Sequence, residues 1–258
     1  MLLKKTRYAR FFSIYGGFIK KKILSIGLLI LLSVSYIFGQ YKVMNADAGF
    51  FIYLNGSKTK ITEDDYLIYA KGFEEENYNK YRNDEFEWHE QFQIMKKNFD
   101  KKIQEADLSS TYTIVTSVDF GDYDFTNEGF PVSISADTFF PLGKNSSYWV
   151  RSNSGTVFSK QTALKLNDFH KYNFFKYAKN DAKTFLQTRK NCFGNVDRSV
   201  TLMISYKVAS YDSAEYKNFE KIALSNDYLP VVGIIENIEV YDASNQRNIK
   251  KIGTLIQK

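Results

Sequence analysis

Between residues 62 and 104 the apolar positions recur with the spacing of helices. Thr62 is followed three residues later by Asp65, which is the arrangement of a capping box. This pattern predicts a first helix that begins after Thr62 and ends near Gly72.

A second, longer helix is predicted to begin at the three glutamates 74–76. Its apolar side chains form one stripe: Tyr78, Tyr81, Trp88, Phe92, Met95, Phe99 and Ile103. If it continues unbroken from Tyr78 to Gln104, this helix is about 40 Å long. Asn83 could instead cap a fresh start and divide it into two helices.

Beyond Ser110 the period of the pattern changes to two, as expected for strands with one buried face. Single strands are predicted at residues 111–120, 130–135 and 200–208. Hairpins are predicted from residues 148–150 with 156–158, and from residues 231–241 with 249–256. A helix capped by Asn180 is expected to interrupt the strands at about residues 181–189.

The order of these elements predicts the fold class. Helices come first, at 62–104, and the chain from 110 to 258 is mainly β. We therefore expect an α+β fold, in which an N-terminal helical portion packs on a mostly antiparallel β-sheet. Without internal repeats or a low-complexity linker, residues 40–258 are expected to form one domain.

The first 39 residues carry the pattern of an export signal. Three lysines at 20–22 precede an apolar stretch at 23–32, and Ser35 or Gly39 offers a cleavage site. The alternative is an uncleaved membrane anchor, since the apolar stretch from Ile23 to Phe38 is 16 residues long, slightly short for a span. Both interpretations place residues 40–258 outside the cytoplasm, in the periplasm, at the cell surface or secreted.

The distribution of charge along the chain limits the partners that we expect for residues 40–258. The formal net charge is +6, but seven of the 35 basic residues and none of the 29 acidic residues lie in 1–39. The remaining chain has 28 basic and 29 acidic residues, which disfavours binding to nucleic acid. Membrane contact is expected only through residues 1–39, if they are not cleaved. The single Cys excludes an intramolecular disulfide.

Three sets of residues are candidates for chemistry. His89 follows Glu85 by four residues, so the carboxylate could orient the imidazole as a general base. Cys192 could act as a nucleophile with His170, 22 residues upstream. For each set we prefer a structural role. Glu85 and His89 would then be a polar pair beside the apolar stripe, and Cys192 would be a small apolar side chain that fills the core. A third interpretation is that Cys192 forms a disulfide with another molecule.

The third set is acidic: Asp119, Asp122 and Asp124, which could bind Ca²⁺. The position that would need Gly in an EF-hand is Asn127, and we prefer a turn between two strands. The phosphate-loop, dinucleotide-binding and nucleophile-elbow patterns are absent from the sequence, so we expect no cofactor. The many aromatic residues are expected to lie mainly in the core.

Three short strings, at residues 83–86 (Asn-Asp-Glu-Phe), 123–125 (Tyr-Asp-Phe) and 129–131 (Gly-Phe-Pro), resemble those of exported bacterial domains of unknown function. The resemblance spans roughly residues 60–258. It implies the helix-then-sheet order and assigns no activity or site residue.

Export and the lack of a catalytic motif favour a non-catalytic binding module, whose partner is an envelope protein or another component of the cell envelope. The alternative is a hydrolase whose site is not visible as a linear motif. A third hypothesis is an oligomeric structural subunit that pairs through the stripe from Tyr78 to Ile103, although we prefer packing of that stripe within the chain.

Overall fold

The computed structural model describes residues 42–143, 156–245 and 249–257. Its helices are α1 (Ala46–Ser57), α2 (Glu63–Phe73), α3 (Glu75–Tyr81), α4 (Glu85–Gln104), α5 (Lys179–Thr188) and α6 (Ala214–Ser225). Its strands are β1 (Lys42–Val43), β2 (Thr111–Asp119), β3 (Gly129–Pro131), β4 (Phe140–Pro141), β5 (Gln161–Asn167), β6 (Phe174–Lys176), β7 (Ser199–Val208), β8 (Tyr228–Asp242) and β9 (Lys250–Thr254). The predicted export signal, residues 1–39, lies outside the described residues.

One mixed sheet organises the fold. Its strand order is β1-β2-β7-β8-β5-β4, and β9 pairs with the second half of β8. The β2–β7, β7–β8, β8–β9 and β4–β5 pairs are antiparallel, whereas β1–β2 and β5–β8 are parallel. β3 and β6 form a separate antiparallel pair. With helices α1–α4 preceding most of the sheet, the predicted α+β class is confirmed.

The predicted helical region is confirmed, with one change at its middle. Thr62 and Asp65 form the capping box of α2. The long helix is divided, as the second alternative expected, but the cap is Asp84 rather than Asn83. The Asp84 carboxylate accepts hydrogen bonds from the N–H groups of Phe86 and Glu87 at 3.0 and 2.9 Å. A carboxylate at this position also interacts favourably with the positive end of the helix dipole.

The C-terminal part of the predicted stripe packs within the chain. Met95 and Phe99 of α4 are buried, and the Phe99 ring stacks on Tyr69 at 4.6 Å. Trp88 and Phe92 are half-buried and stack on each other at 4.8 Å. The stripe is therefore at least partly core, which is the interpretation preferred from the sequence.

The buried carboxylate of Asp65 joins two distant parts of the chain. Its oxygens accept hydrogen bonds from the Thr62 N–H at 2.9 Å and from the Val157 N–H at 3.1 Å. The bond from Val157 helps to hold Val157–Ser159 in a 3₁₀ turn, where Phe158 is buried against Phe50. The prediction of a strand at 156–158 is therefore wrong, and the rest of that hairpin, at 148–155, lies outside the described residues.

The strands predicted at 111–120 and 200–208 are confirmed as β2 and β7, and the C-terminal hairpin as β8 with β9. The strand predicted at 130–135 is shorter in the structure. Only β3 pairs with another strand, and a single bridge joins Val132 to Phe120. The helix predicted at 181–189 exists as α5, but Asn180 is not its cap. Burial of Ala182 and Phe185 fixes its position, and Ala178 precedes it without a side-chain cap.

Six helices and strands of the described residues were not predicted: β1, α1, β4, β5, β6 and α6. α1 lacks a clear apolar stripe, because its buried side chains lie on opposite sides of the helix: Phe50 and Leu54 on one side and Ile52 on the other. It packs on β5 and β8. α6 lies against β8 and places Phe219 in a second apolar cluster with Ala163 of β5. β5 and β8 are therefore covered on both faces of the sheet. This explains why most consecutive residues of β5 are buried, instead of alternating between buried and exposed.

Within the described ranges, no helix is both long enough and apolar enough to cross a membrane.

Candidate functional site

The two histidine candidates lie at different places in the fold. His89 and Glu85 are exposed on the N-terminal half of α4. His170 is half-buried in a 3₁₀ turn between β5 and β6, and Cys192 is exposed in the turn after α5. Cys192 is therefore not the buried filler preferred from the sequence. In the described part of the chain no hydrogen bond joins His89 to Glu85 or Cys192 to His170, so a hydrolytic role for these residues stays a prediction.

The three aspartates lie at the C-terminal end of β2 and in the turn that follows. Asp119 ends the strand, and Asp122 forms an ion pair with Arg198 at 3.0 Å. Asp124 accepts hydrogen bonds from the N–H groups of Thr126 and Asn127 at 2.9 and 3.0 Å. Residues 42–143, 156–245 and 249–257 contain no group of three or more His, Cys, Asp or Glu side chains placed to hold a metal ion.

This turn presents an exposed aromatic ring. Backbone hydrogen bonds in both directions join Asp124 and Gly129, with N···O distances of 2.8 and 3.3 Å. Phe125 lies at the tip of the turn and is 71% exposed. Its ring packs edge-on against Tyr123 at 5.0 Å, and the Lys179 ammonium lies 5.8 Å from its centre.

A second turn, between α5 and β7, is built in the same way. The Asn191 side-chain oxygen accepts hydrogen bonds from the N–H groups of Phe193 and Asn195 at 2.9 and 3.0 Å. Gly194 has a φ of +87°, which favours glycine at this position. Phe193 is 86% exposed at the tip, next to Cys192.

Both turns lie at the same end of the sheet, because Asp119 at the end of β2 pairs with Ser199 at the start of β7. Arg198 links the two turns, because it donates a hydrogen bond to the Gly121 carbonyl at 2.6 Å and forms an ion pair with Asp122. We call this surface, with Phe125 and Phe193 at its tips, the two-turn end. Charges of both signs occur there: Asp122, Asp124, Glu128, Lys179, Lys190 and Arg198.

A separate open cleft of about 460 Å³ lies between β1, α1 and the end of α4. Its apolar lining comes mainly from three residues on one face of α1, Ala48, Phe51 and Ile52. The Tyr112 ring of β2 adds to this lining, and the hydroxyl of Tyr112 donates to the Asp107 carbonyl at 2.7 Å.

The charged groups of the cleft are largely neutralised within the chain. Lys42 pairs with Asp107 at 2.8 Å, and Glu105 lies 3.6 Å from Lys101. Hydrogen bonds from Lys42, Ser110 and Ser109 hold the pKa of Asp107 well below its usual range. Asp107 is therefore ionised at every pH at which the protein is expected to work.

Comparison with known proteins finds a match to a family model, over part of this chain. A DUF4852 domain, a domain of unknown function, is found at residues 62–188, from the cap of α2 to the last residue of α5. No curated protein and no solved structure matches the chain. The expected resemblance to a domain of unknown function is confirmed for these residues.

Phe125, Phe193 and the cleft were not found from the sequence. The aromatic residues were expected mainly in the core, and Phe86, Phe125 and Phe193 are exceptions, since they are 85%, 71% and 86% exposed. A signal was present for two of them. Each follows an Asp or Asn closely and lies among turn-forming residues, in Asp124-Phe125-Thr126-Asn127 and Asn191-Cys192-Phe193-Gly194.

Proposed function

We propose that this protein is an exported protein of the bacterial cell envelope, that it acts by binding another protein, and that the two-turn end is its binding surface. One observation carries the proposal: Phe125 and Phe193 are held in water on hydrogen-bonded turns. Leaving a Phe side chain in water forgoes about 1.5–3 kcal/mol of burial energy. Aromatic anchors of this kind commonly supply most of the affinity of a protein interface.

The construction of the turns supports binding to a preformed partner surface. Asp124 and Asn191 already fix the backbone around each ring, so little conformational entropy is lost when the rings are buried. The charges of both signs around the rings favour a protein partner with a polar rim over an anionic lipid surface, which attracts clusters of Lys and Arg.

The test of this surface compares two Phe variants that should fold equally well. The double variant Phe125→Ser/Phe193→Ser should lower the affinity for a partner captured from envelope extracts by at least about tenfold, because two anchors are lost. The control, Phe86→Ser, removes an equally exposed ring from α4 and should leave the affinity unchanged. Calorimetry with the purified partner measures both.

Equal binding by the wild type and the double variant would overturn the proposal. Loss of vesicle flotation, rather than of protein binding, in the double variant would assign the two rings to a membrane instead.

The export part of the proposal rests on the basic and apolar pattern of residues 1–39. Cell fractionation should find residues 40–258 outside the cytoplasm, and added protease should degrade them once the outer layers of the cell are opened. Recovery of the full-length polypeptide from the soluble cytoplasm would contradict export and the proposed envelope partner together.

A further inference from the structure

The cleft between β1, α1 and α4 has one charged group without a carboxylate partner. Lys42 and Glu105 each have an ion pair, to Asp107 and Lys101. Lys102 has none among the described residues, and its ammonium instead lies 5.1–6.0 Å from the ring centres of Phe51, Tyr69 and Phe73. The cleft therefore offers one cation beside an apolar floor.

The size and lining of the cleft suit a small ligand. A volume of about 460 Å³ lies within the range of small-molecule sites, which are mostly apolar with a few polar groups that fix orientation. Ala48, Phe51 and Ile52 supply the apolar contact, and Lys102 supplies the polar group. Lys42 is already paired with Asp107, so Lys102 is the cation of the cleft that is left to pair with an anionic group.

We propose that this cleft binds a small molecule with an apolar body and a single carboxylate. The apolar body lies on the α1 face, and the carboxylate pairs with the Lys102 ammonium. The site is independent of the two-turn end, because it is formed by β1, α1 and the last turn of α4.

Calorimetric titration of the isolated protein with octanoate and with 1-octanol tests the proposal. Octanoate should bind about tenfold more tightly than octanol, since a hydrogen bond to a charged group is stronger than one between neutral groups. Lys102→Gln should reduce the octanoate affinity to that of octanol and leave octanol binding unchanged. Lys102→Arg should retain the preference for octanoate.

Two further variants separate this site from general charge attraction and from misfolding. Lys97→Gln removes another exposed cation of α4, which does not line the cleft, and should leave the preference unchanged. Ala48→Leu adds bulk to the floor and should weaken both ligands equally. Equal affinities for octanoate and octanol, an equal effect of Lys97→Gln and Lys102→Gln, or no saturable octanoate binding below its micelle concentration would each overturn the proposal.

Discussion

Replacing Gly56 by Ala should lower the free energy of unfolding by about 3 kcal/mol, or prevent folding. A Cβ atom at Gly56 would lie only 1.9–2.4 Å from three ring carbons of Tyr211. The ring cannot move freely, because it packs on Tyr216 at 4.4 Å and its hydroxyl donates to the Ile52 carbonyl at 3.0 Å. Relief of the overlap would break the contact that joins the end of α1 to the loop before α6. Urea denaturation followed by circular dichroism measures the effect.

The same substitution in a Tyr211→Ala background is the control. With the ring removed, Gly56→Ala should be neutral or stabilising by up to about 1 kcal/mol, because Ala has the higher helix propensity. A reversal of sign between the two backgrounds identifies the Tyr211 ring as the cause. A destabilisation of the same size in both backgrounds would show that the close approach of Gly56 to Tyr211 is not what requires glycine.

Asp242→Ala should destabilise the protein by about 3 kcal/mol, because it leaves a buried charge without its partner. The Arg189 side chain is 2% exposed and forms an ion pair with Asp242 at the end of β8. The guanidinium also stacks on Phe185, with 4.3 Å between their centres. The Arg189–Asp242 pair therefore links the C-terminal end of α5 to the sheet. Thermal or urea unfolding measures the stability that is lost when the pair is broken.

Asp122→Ala is the matched control, since it breaks the ion pair with Arg198, in which the Asp122 side chain is 99% exposed. It should cost less than about 1 kcal/mol. Adding Arg189→Met to Asp242→Ala should restore part of the lost stability, because the unpartnered charge is then gone. Equal costs for the two aspartate variants would contradict a role for burial.

The pH dependence of the same pair has a defined sign. Burial alone raises the pKa of Asp242, but hydrogen bonds from Arg189 and Ser244 outweigh it and hold the pKa below its usual value. The unfolded chain then binds this proton more readily, so the contribution of Asp242 is present above about pH 4 and is lost as the pH falls further. Asp242→Ala should accordingly show a shallower loss of stability in acid than the wild type.

The local signals of the sequence were sufficient for the elements whose apolar residues recur at a regular spacing. The capping box at Thr62, the stripe that ends in Met95 and Phe99, and the alternation of β7 are patterns within a single segment. They predicted α2, α4 and β7 because one apolar face and one polar face leave a periodic trace. α1 and β5 left no such trace, since other elements cover them on two sides.

The candidate surfaces were not predictable in the same way, because each needs residues that are distant in the chain. The cleft combines Lys42 and Ala48 with Lys102 and Tyr112, and these meet only after β1 pairs with β2 and α1 packs beside α4. The two-turn end depends on the β2–β7 pairing, which brings the turn of Phe125 to the same end as that of Phe193.

The sequence by itself determined the α+β order, the capped helices of residues 62–104 and the C-terminal hairpin, since capping side chains and apolar periodicity act over a few neighbouring residues. Only the tertiary structure decided which aromatic rings are buried and which, like Phe125 and Phe193, remain in water. It also decided that Lys102 lines the cleft without forming an ion pair among the described residues. Burial and charge pairing are set by contacts between distant segments, and no local pattern encodes them.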